Sequence, residues 1–126
     1  VKRSLVAGAG GLFRLPRAIG MAPALEVIMT GDPLSSERAH QLGMVNQVVA
    51  PDDVMDAARA LADRVIASAP LAVQASRRVA VRAFMDTDDD LWRASGQEFA
   101  GIEDTEDFLE GPRAFIEKRD PTWKGK

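Results

Sequence analysis

Residues 8–11 constrain the fold more than any other stretch of this chain, because three of the four are glycine. Glycine accepts backbone angles that a Cβ would forbid, and it lets another group approach the main chain closely. Apolar and basic side chains alternate through residues 12–19. A glycine-rich turn that opens into a helix directs unpaired N–H groups at whatever lies in front of it. The sequence therefore predicts either a tight turn between two elements or a turn that holds a ligand.

Composition narrows the class of protein and its partners. The 126 residues are 46% apolar and 28% charged, which is typical of one globular domain of ordinary size. No run approaches the roughly 20 apolar residues of a membrane span. The absence of cysteine excludes disulfides and thiolate metal sites. A formal net charge of −3 argues against nucleic acid as a main partner, so we expect neither a nucleic-acid nor a membrane partner.

Helical signals dominate the chain. The clearest lies within residues 51–66, where apolar side chains recur at i, i+3, i+4 and i+7 after a Pro-Asp-Asp start. Ser35 is expected to cap a short helix, and Gly43 suits the left-handed position after its end. Helices are predicted over residues 22–29, 35–43, 52–68, 70–84 and 89–101, and through residues 108–116.

Two short segments modify this helical pattern. The β-branched content of residues 44–49 predicts a short strand, and Gly111-Pro112 is expected to break the last helix into two pieces. Residues 121–126 read as a polar, mobile tail. The expected fold is therefore mainly α, with about six helices and at most one or two short strands.

Several motifs, taken in order, resemble the C-terminal half of the enoyl-CoA hydratase/isomerase (crotonase) family. The likeness covers nearly all 126 residues. The matching motifs are Gly-Ala-Gly-Gly at 8–11, Arg-Leu-Pro-Arg at 14–17, Ala-Leu-Glu at 24–26, Leu-Ser-Ser-Glu-Arg-Ala at 34–39, Leu-Gly-Met-Val-Asn at 42–46, Pro-Leu-Ala-Val at 70–73, Thr-Glu-Asp at 105–107 and Phe-Ile-Glu-Lys-Arg at 115–119. The resemblance implies the C-terminal helical part of the ClpP/crotonase-like α/β spiral fold.

The resemblance also implies a division of the chain and a missing partner half. Residues 1–50 would end the crotonase core, 51–120 would form the C-terminal helical trimerisation region, and 121–126 the polar tail. Because the chain opens at Val1 without an initiator Met or a lead-in, we expect a truncated chain. In the family, the N-terminal half supplies the oxyanion-hole donors and the acid/base carboxylates. The second catalytic glutamate of hydratases would stand immediately before Val1.

The activity implied for the parent protein is that of a lyase that hydrates 2-enoyl-CoA in fatty-acid metabolism. Its partner would be an acyl-CoA thioester, with no separate cofactor and no metal, since CoA is part of the substrate. The assembly would be a homotrimer or hexamer in the cytoplasm. The isolated chain is expected to be inactive. Two alternatives remain open: a non-catalytic oligomerisation module, and another reaction of the family, such as that of an isomerase, hydrolase or dehalogenase.

Five residues match positions that contact substrate in the family. Gly8 resembles the glycine whose backbone N–H orients the catalytic water, although it could equally serve the turn alone. Leu12 and Phe13 stand where many hydratases have Thr-Gln, and they would suit a bulkier acyl group or simply pack. Phe115 and Lys118 would offer CoA an apolar face and an ammonium group. Alternatively, Phe115 is a core residue and Lys118 a solvated one.

The remaining polar candidates predict no catalytic or metal site. His40, the only histidine, lies on a short polar helix without a supporting carboxylate and hydroxyl. The aspartates within residues 86–90 lack the glycine and the terminal glutamate of a calcium loop. We expect this acidic segment to be a solvated helix start.

Overall fold

The computed structural model describes residues 1–126 and contains helices joined by turns and loops, with no strand. The predicted mainly-α class is confirmed. None of the helices combines the length and the apolar character needed to cross a bilayer. The seven α-helices are α1 (Gly11–Ile19), α2 (Met21–Thr30), α3 (Ser36–Gln41), α4 (Val54–Ile66), α5 (Pro70–Ala80), α6 (Asp88–Glu103) and α7 (Glu106–Glu117), with a 3-10 turn (Pro51–Asp53) before α4.

The chain divides into two compact units, Val1–Val54 and Met55–Lys126. In the first unit α1 packs against α2, and in the second α5 packs against α6. No large side chain is fully buried in either unit. The buried apolar residues are mostly small: Ile19, Ala24, Ala39, Ala75, Ala94 and Ala114.

Large apolar side chains lie on the surface instead. Phe84, Trp92 and Phe115 are 76%, 79% and 85% exposed. The total accessible surface is 9864 Å², whereas two separate compact bodies sharing the same 13.6 kDa would expose about 7,900 Å². Large apolar side chains exposed in this way are typical of faces that contact further protein.

Helix α3 begins and ends as predicted. The Ser35 hydroxyl accepts a hydrogen bond from the Arg38 backbone N–H at 3.2 Å, which is the expected N-cap. After the helix, Gly43 has a φ of 76°, in the left-handed region where glycine is favoured. Local turn chemistry therefore sets the bounds of this helix.

The predicted strand at residues 44–49 is wrong. This segment has bends at Met44 and Asn46 and no strand. A strand requires a neighbour to take its backbone hydrogen bonds, and residues 1–126 contain no strand to pair with it. The segment is held locally instead: the Met44 N–H donates to the Ala39 carbonyl at 2.9 Å, and His40 Nδ1 lies 3.1 Å from the Val45 carbonyl oxygen.

The predicted break at Gly111-Pro112 is also wrong, because α7 continues through Pro112 to Glu117. A proline inside a helix loses one backbone hydrogen bond and crowds the preceding turn, at a cost of about 3 kcal/mol. An ion pair joins residues on the two sides of the proline. Arg119 binds Glu110 through both terminal nitrogens, at 2.6 and 3.0 Å.

Residues 119–126 return along α7 rather than leaving it, contrary to the expected mobile tail. The Asp107 carboxylate, only 4% exposed, accepts the Lys124 N–H at 2.7 Å and the Gly125 N–H at 2.9 Å. Nearer the helix end, Glu110 accepts the Thr122 N–H at 2.8 Å. We call this set of tail amides, Arg119, Asp107 and Glu110 the tail clasp.

Replacing Asp107 with alanine should release the tail. Two backbone N–H groups would lose their acceptor in a part-buried position, so we expect Asp107→Ala to lower the free energy of unfolding by about 2–3 kcal/mol. Urea denaturation followed by circular dichroism measures this change. Asp56→Ala is the matched control, because the Asp56 side chain is 82% exposed, and it should change stability by at most about 0.5 kcal/mol. Equal effects of the two substitutions would contradict the clasp.

Candidate functional site

In the glycine turn of the first unit, the residues with left-handed backbone angles come after Gly8. Positive φ angles occur at Ala9 (52°) and Gly10 (95°), and Gly8 has none. A Cβ on Gly8 would meet no heavy atom within 4 Å, whereas a Cβ on Gly10 would lie 3.0 Å from Arg14 Nε. Within this chain, Gly8 therefore requires glycine neither for its angles nor for space. Close approach of a further group is the remaining physical reason for a glycine there.

The Gly8 N–H is already engaged in this structure. It donates to the Val6 carbonyl at 2.7 Å, while the Gly8 carbonyl accepts the Gly11 N–H at 3.1 Å. To orient a water, as the resemblance implies, this N–H would have to share or release its bond to Val6. The water-orienting role of Gly8 stays a prediction.

Leu12 and Phe13 lie on the surface of α1, with 44% and 52% of their area exposed. They are not core residues of this chain. The Phe13 ring carries two cations, with the Arg14 and Arg17 guanidinium carbons 5.9 and 5.3 Å from its centroid. Both distances are within the range of a cation–π interaction. The two apolar side chains are thus available to a ligand or to further protein.

Lys118 ends α7 in a left-handed conformation, with φ 54° and ψ 43°. This region suits glycine, and a side chain there costs about 1 kcal/mol. The turn is closed by the Lys118 N–H bonding to the Phe115 carbonyl at 3.3 Å and the Arg119 N–H bonding to the Ala114 carbonyl at 3.1 Å. Strained backbone of this kind concentrates at functional positions. Phe115, one turn earlier, is 85% exposed in this chain, and its role as a CoA contact stays a prediction.

Charged side chains near Lys118 form ion pairs with one another. Lys118 itself takes part in none of the ion pairs of the chain. Arg119 binds Glu110 through two nitrogens and Glu117 through Nε at 2.6 Å. Hydrogen bonds from Arg119 and from the Thr122 N–H lower the pKa of Glu110 to about 2, and hydrogen bonds to Glu110 and Glu117 raise the pKa of Arg119. The pair is therefore ionised under ordinary conditions, and Lys118 is the free cation at the end of the helix.

The acidic segment at residues 86–90 starts a helix, as expected. The Thr87 hydroxyl accepts the Asp90 N–H at 3.3 Å and caps α6. Arg82 binds Asp86, and Arg93 binds Asp90 at 2.8 Å. Each of these two aspartates has an arginine partner, so the segment acts as a helix cap.

An apolar groove of about 380 Å³ lies between α5 and α6 of the second unit. Ala72, Ala75 and Val79 line one wall, and Phe99 lies opposite. Glu98 is its only charged lining residue and is bound by Arg78. Sequence analysis missed this groove. Its signal is the small and apolar side chains at 72, 75, 76 and 79, whose spacing puts them on one face of a helix.

Comparison with known proteins identifies relatives over the whole chain. The profile of the enoyl-CoA hydratase/isomerase family matches residues 1–126. The carnitinyl-CoA dehydratase of Salmonella agona is 40% identical over 129 residues, which cover 99% of this chain and 49% of that relative.

Solved structures give the same result. The enoyl-CoA hydratase of Mycobacterium marinum is similar with a TM-score of 0.93 and 46% identity, covering 99% of this chain and 51% of that one. The enoyl-CoA hydratase of Mycobacterium tuberculosis is similar with a TM-score of 0.92 and 42% identity, covering 99% and 50%. The chain therefore spans about half the length of the relatives it matches.

Alanine substitutions at the glycine turn should distinguish a glycine that the turn requires from one that it does not. Gly10→Ala should lower the free energy of unfolding by at least about 1 kcal/mol, because of the positive φ and the contact with Arg14. Gly8→Ala should stay within about 0.5 kcal/mol of the unsubstituted chain. Chemical denaturation of both variants is the measurement. A Gly8→Ala loss as large as that of Gly10→Ala would mean that Gly8 serves the turn itself.

Proposed function

The chain belongs to the enoyl-CoA hydratase/isomerase family, and on that premise we propose that it forms the C-terminal part of an enzyme that hydrates 2-enoyl-CoA thioesters in fatty-acid metabolism. One observation carries the ligand assignment. Lys118 is an unpaired cation held in a strained backbone conformation one turn after an exposed aromatic residue, Phe115. A lysine of this kind suits the phosphates of CoA as a point charge, and Phe115 offers an apolar face to the rest of the cofactor moiety.

The chemistry requires groups beyond this chain. Adding water to a thioester-activated double bond needs hydrogen-bond donors where charge develops on the thioester oxygen. It also needs carboxylates that take a proton from water and deliver one to carbon. Every carboxyl with a shifted pKa in this chain is shifted downward, mainly by hydrogen bonds: Asp32, Glu37, Asp90, Glu98, Glu106 and Glu110. Such carboxyls are poor proton donors near neutral pH, and the family resemblance places the acid/base carboxylates in the other half of the fold, so we assign that role there.

The first unit would contribute to the reacting end of the substrate. We assign the Gly8 N–H to the orientation of the attacking water, and the exposed side chains of Leu12 and Phe13 to the walls around the acyl group. Their apolar character would favour a bulkier acyl chain than a Thr-Gln pair would. The name of one relative, carnitinyl-CoA dehydratase, describes loss of water from a CoA thioester, which is the same bond chemistry in the opposite direction.

We further propose that the parent protein assembles as a homotrimer or hexamer in the cytoplasm. The support is the apolar surface that neither unit buries, including Trp92 at 79% exposed and Ile116 at 78%. The same surface favours the second candidate function, an oligomerisation module without catalysis. Enzyme assays separate these two candidates.

Substitutions at Lys118 should move stability and ligand affinity in opposite directions. Lys118→Gly should raise the free energy of unfolding by about 1 kcal/mol, because glycine relieves the left-handed strain. The same variant should weaken binding of coenzyme A about tenfold, since a hydrogen bond to a charged group is worth about 1.5 kcal/mol. Urea denaturation and isothermal titration calorimetry measure the two changes.

Two controls sharpen the test of Lys118. Arg113→Ala removes another α7 cation that forms no ion pair, and it should leave coenzyme A affinity unchanged. Pantetheine, which lacks the nucleotide phosphates, should bind the unsubstituted chain and Lys118→Gly equally. If Arg113→Ala and Lys118→Gly weaken binding alike, only a general charge effect is present and the assignment fails.

The activity is tested with a fusion protein. We expect no turnover of a 2-enoyl-CoA by the 126-residue chain alone. Placing the N-terminal half of the Mycobacterium marinum relative before Val1 should give a hydratase, detected by loss of the enoyl thioester absorbance. Turnover by the isolated chain would refute the predicted division of labour. A folded, oligomeric but inactive fusion would instead favour the assembly module.

A further inference from the structure

We propose that Arg119 is a positioning residue that holds Lys118 in its left-handed conformation and keeps the Lys118 ammonium free for an anionic ligand. The inference rests on the proposed function, since it concerns how the CoA contact at Lys118 is built. Arg119 would touch no substrate atom itself. It would act through the backbone of Lys118 and through the carboxylate of Glu117.

The chain changes direction after α7. Helix α7 ends at Glu117, and the residues that follow run back toward its N-terminus. Thr122 donates to Glu110, while Lys124 and Gly125 donate to Asp107, nearly one turn earlier. The Lys126 carbonyl then accepts the Glu106 N–H at 2.8 Å. The chain therefore reverses at Lys118.

The reversal strains the backbone at Lys118. A helix that ends in one left-handed residue usually has glycine there, because any side chain is strained at these angles. Other bonds must fix the conformation for it to persist. Arg119 supplies them, because its N–H binds the Ala114 carbonyl and its side chain reaches back nine residues to Glu110.

Arg119 also binds the carboxylate next to Lys118. Glu117 is the residue before Lys118, and its carboxylate is bound by Arg119 Nε at 2.6 Å. Without Arg119, the freed carboxylate would be the nearest partner in sequence for the Lys118 ammonium. An ion pair between them would compete with any anionic ligand. Arg119 thus prevents neutralisation of Lys118 as well as fixing its backbone.

The test compares four variants of the 126-residue chain with coenzyme A as the probe. Arg119→Gln should weaken binding about as much as Lys118→Ala, roughly tenfold for a lost charged hydrogen bond. Adding Glu117→Gln to Arg119→Gln should recover part of that loss, because the competing carboxylate is then gone. Arg59→Gln is the control: Arg59 also pairs with a carboxylate but is 70% exposed on α4, and it should leave binding unchanged.

A second readout does not depend on any ligand. Backbone NMR couplings and Cα shifts of Lys118 should report positive φ in the unsubstituted chain and a shift away from it in Arg119→Gln. Retained positive φ together with unchanged coenzyme A affinity in Arg119→Gln would overturn the inference, and so would failure of Glu117→Gln to recover any binding. If Lys118→Ala itself leaves affinity unchanged, the CoA assignment of the proposed function fails instead.

Discussion

The structure of the C-terminal part of the molecule depends on two carboxylates that accept hydrogen bonds from backbone N–H groups. A segment without regular structure has amides that need partners once they leave water, and α7 supplies them through Asp107 and Glu110. Because these acceptors face the returning chain, the tail is fixed although it is polar. The same contacts bring the chain back along α7 after Lys118. One set of hydrogen bonds thus fixes the tail and turns the chain back beside the candidate ligand contact.

In the rest of the chain, large apolar side chains lie on helix surfaces that no other part of the chain covers. Its buried apolar residues are mostly alanines, and these stabilise far less than the leucine and phenylalanine side chains left on the surface. Such a chain resembles one layer of a larger core more than a protein with its own interior. Membership of a family whose relatives are about twice as long gives this surface a physical explanation. The uncovered faces would pack against the other half of the fold or against further subunits.

Sequence patterns predicted what depends on near neighbours. The Ser35 cap and Gly43 follow from local turn chemistry, and the apolar period of α4 from helical geometry. The strand at residues 44–49 was wrong because strand formation depends on a partner, which no local pattern reveals. The break at Pro112 was wrong because a proline inside a helix lowers its stability without always ending it, and α7 continues through it. The candidate site residues were predicted from the family resemblance alone, because a lysine in a sequence does not indicate a left-handed backbone conformation.

Amide hydrogen exchange tests the tail clasp most directly. The amides of Thr122, Lys124 and Gly125 lie outside any helix, yet each donates to a carboxylate of α7. If the clasp holds, these three amides should exchange slowly and with the same protection as the interior amides of α7, because both open in one cooperative step. Exchange of the three tail amides at the rate of an unstructured peptide, beside a protected α7, would contradict the account.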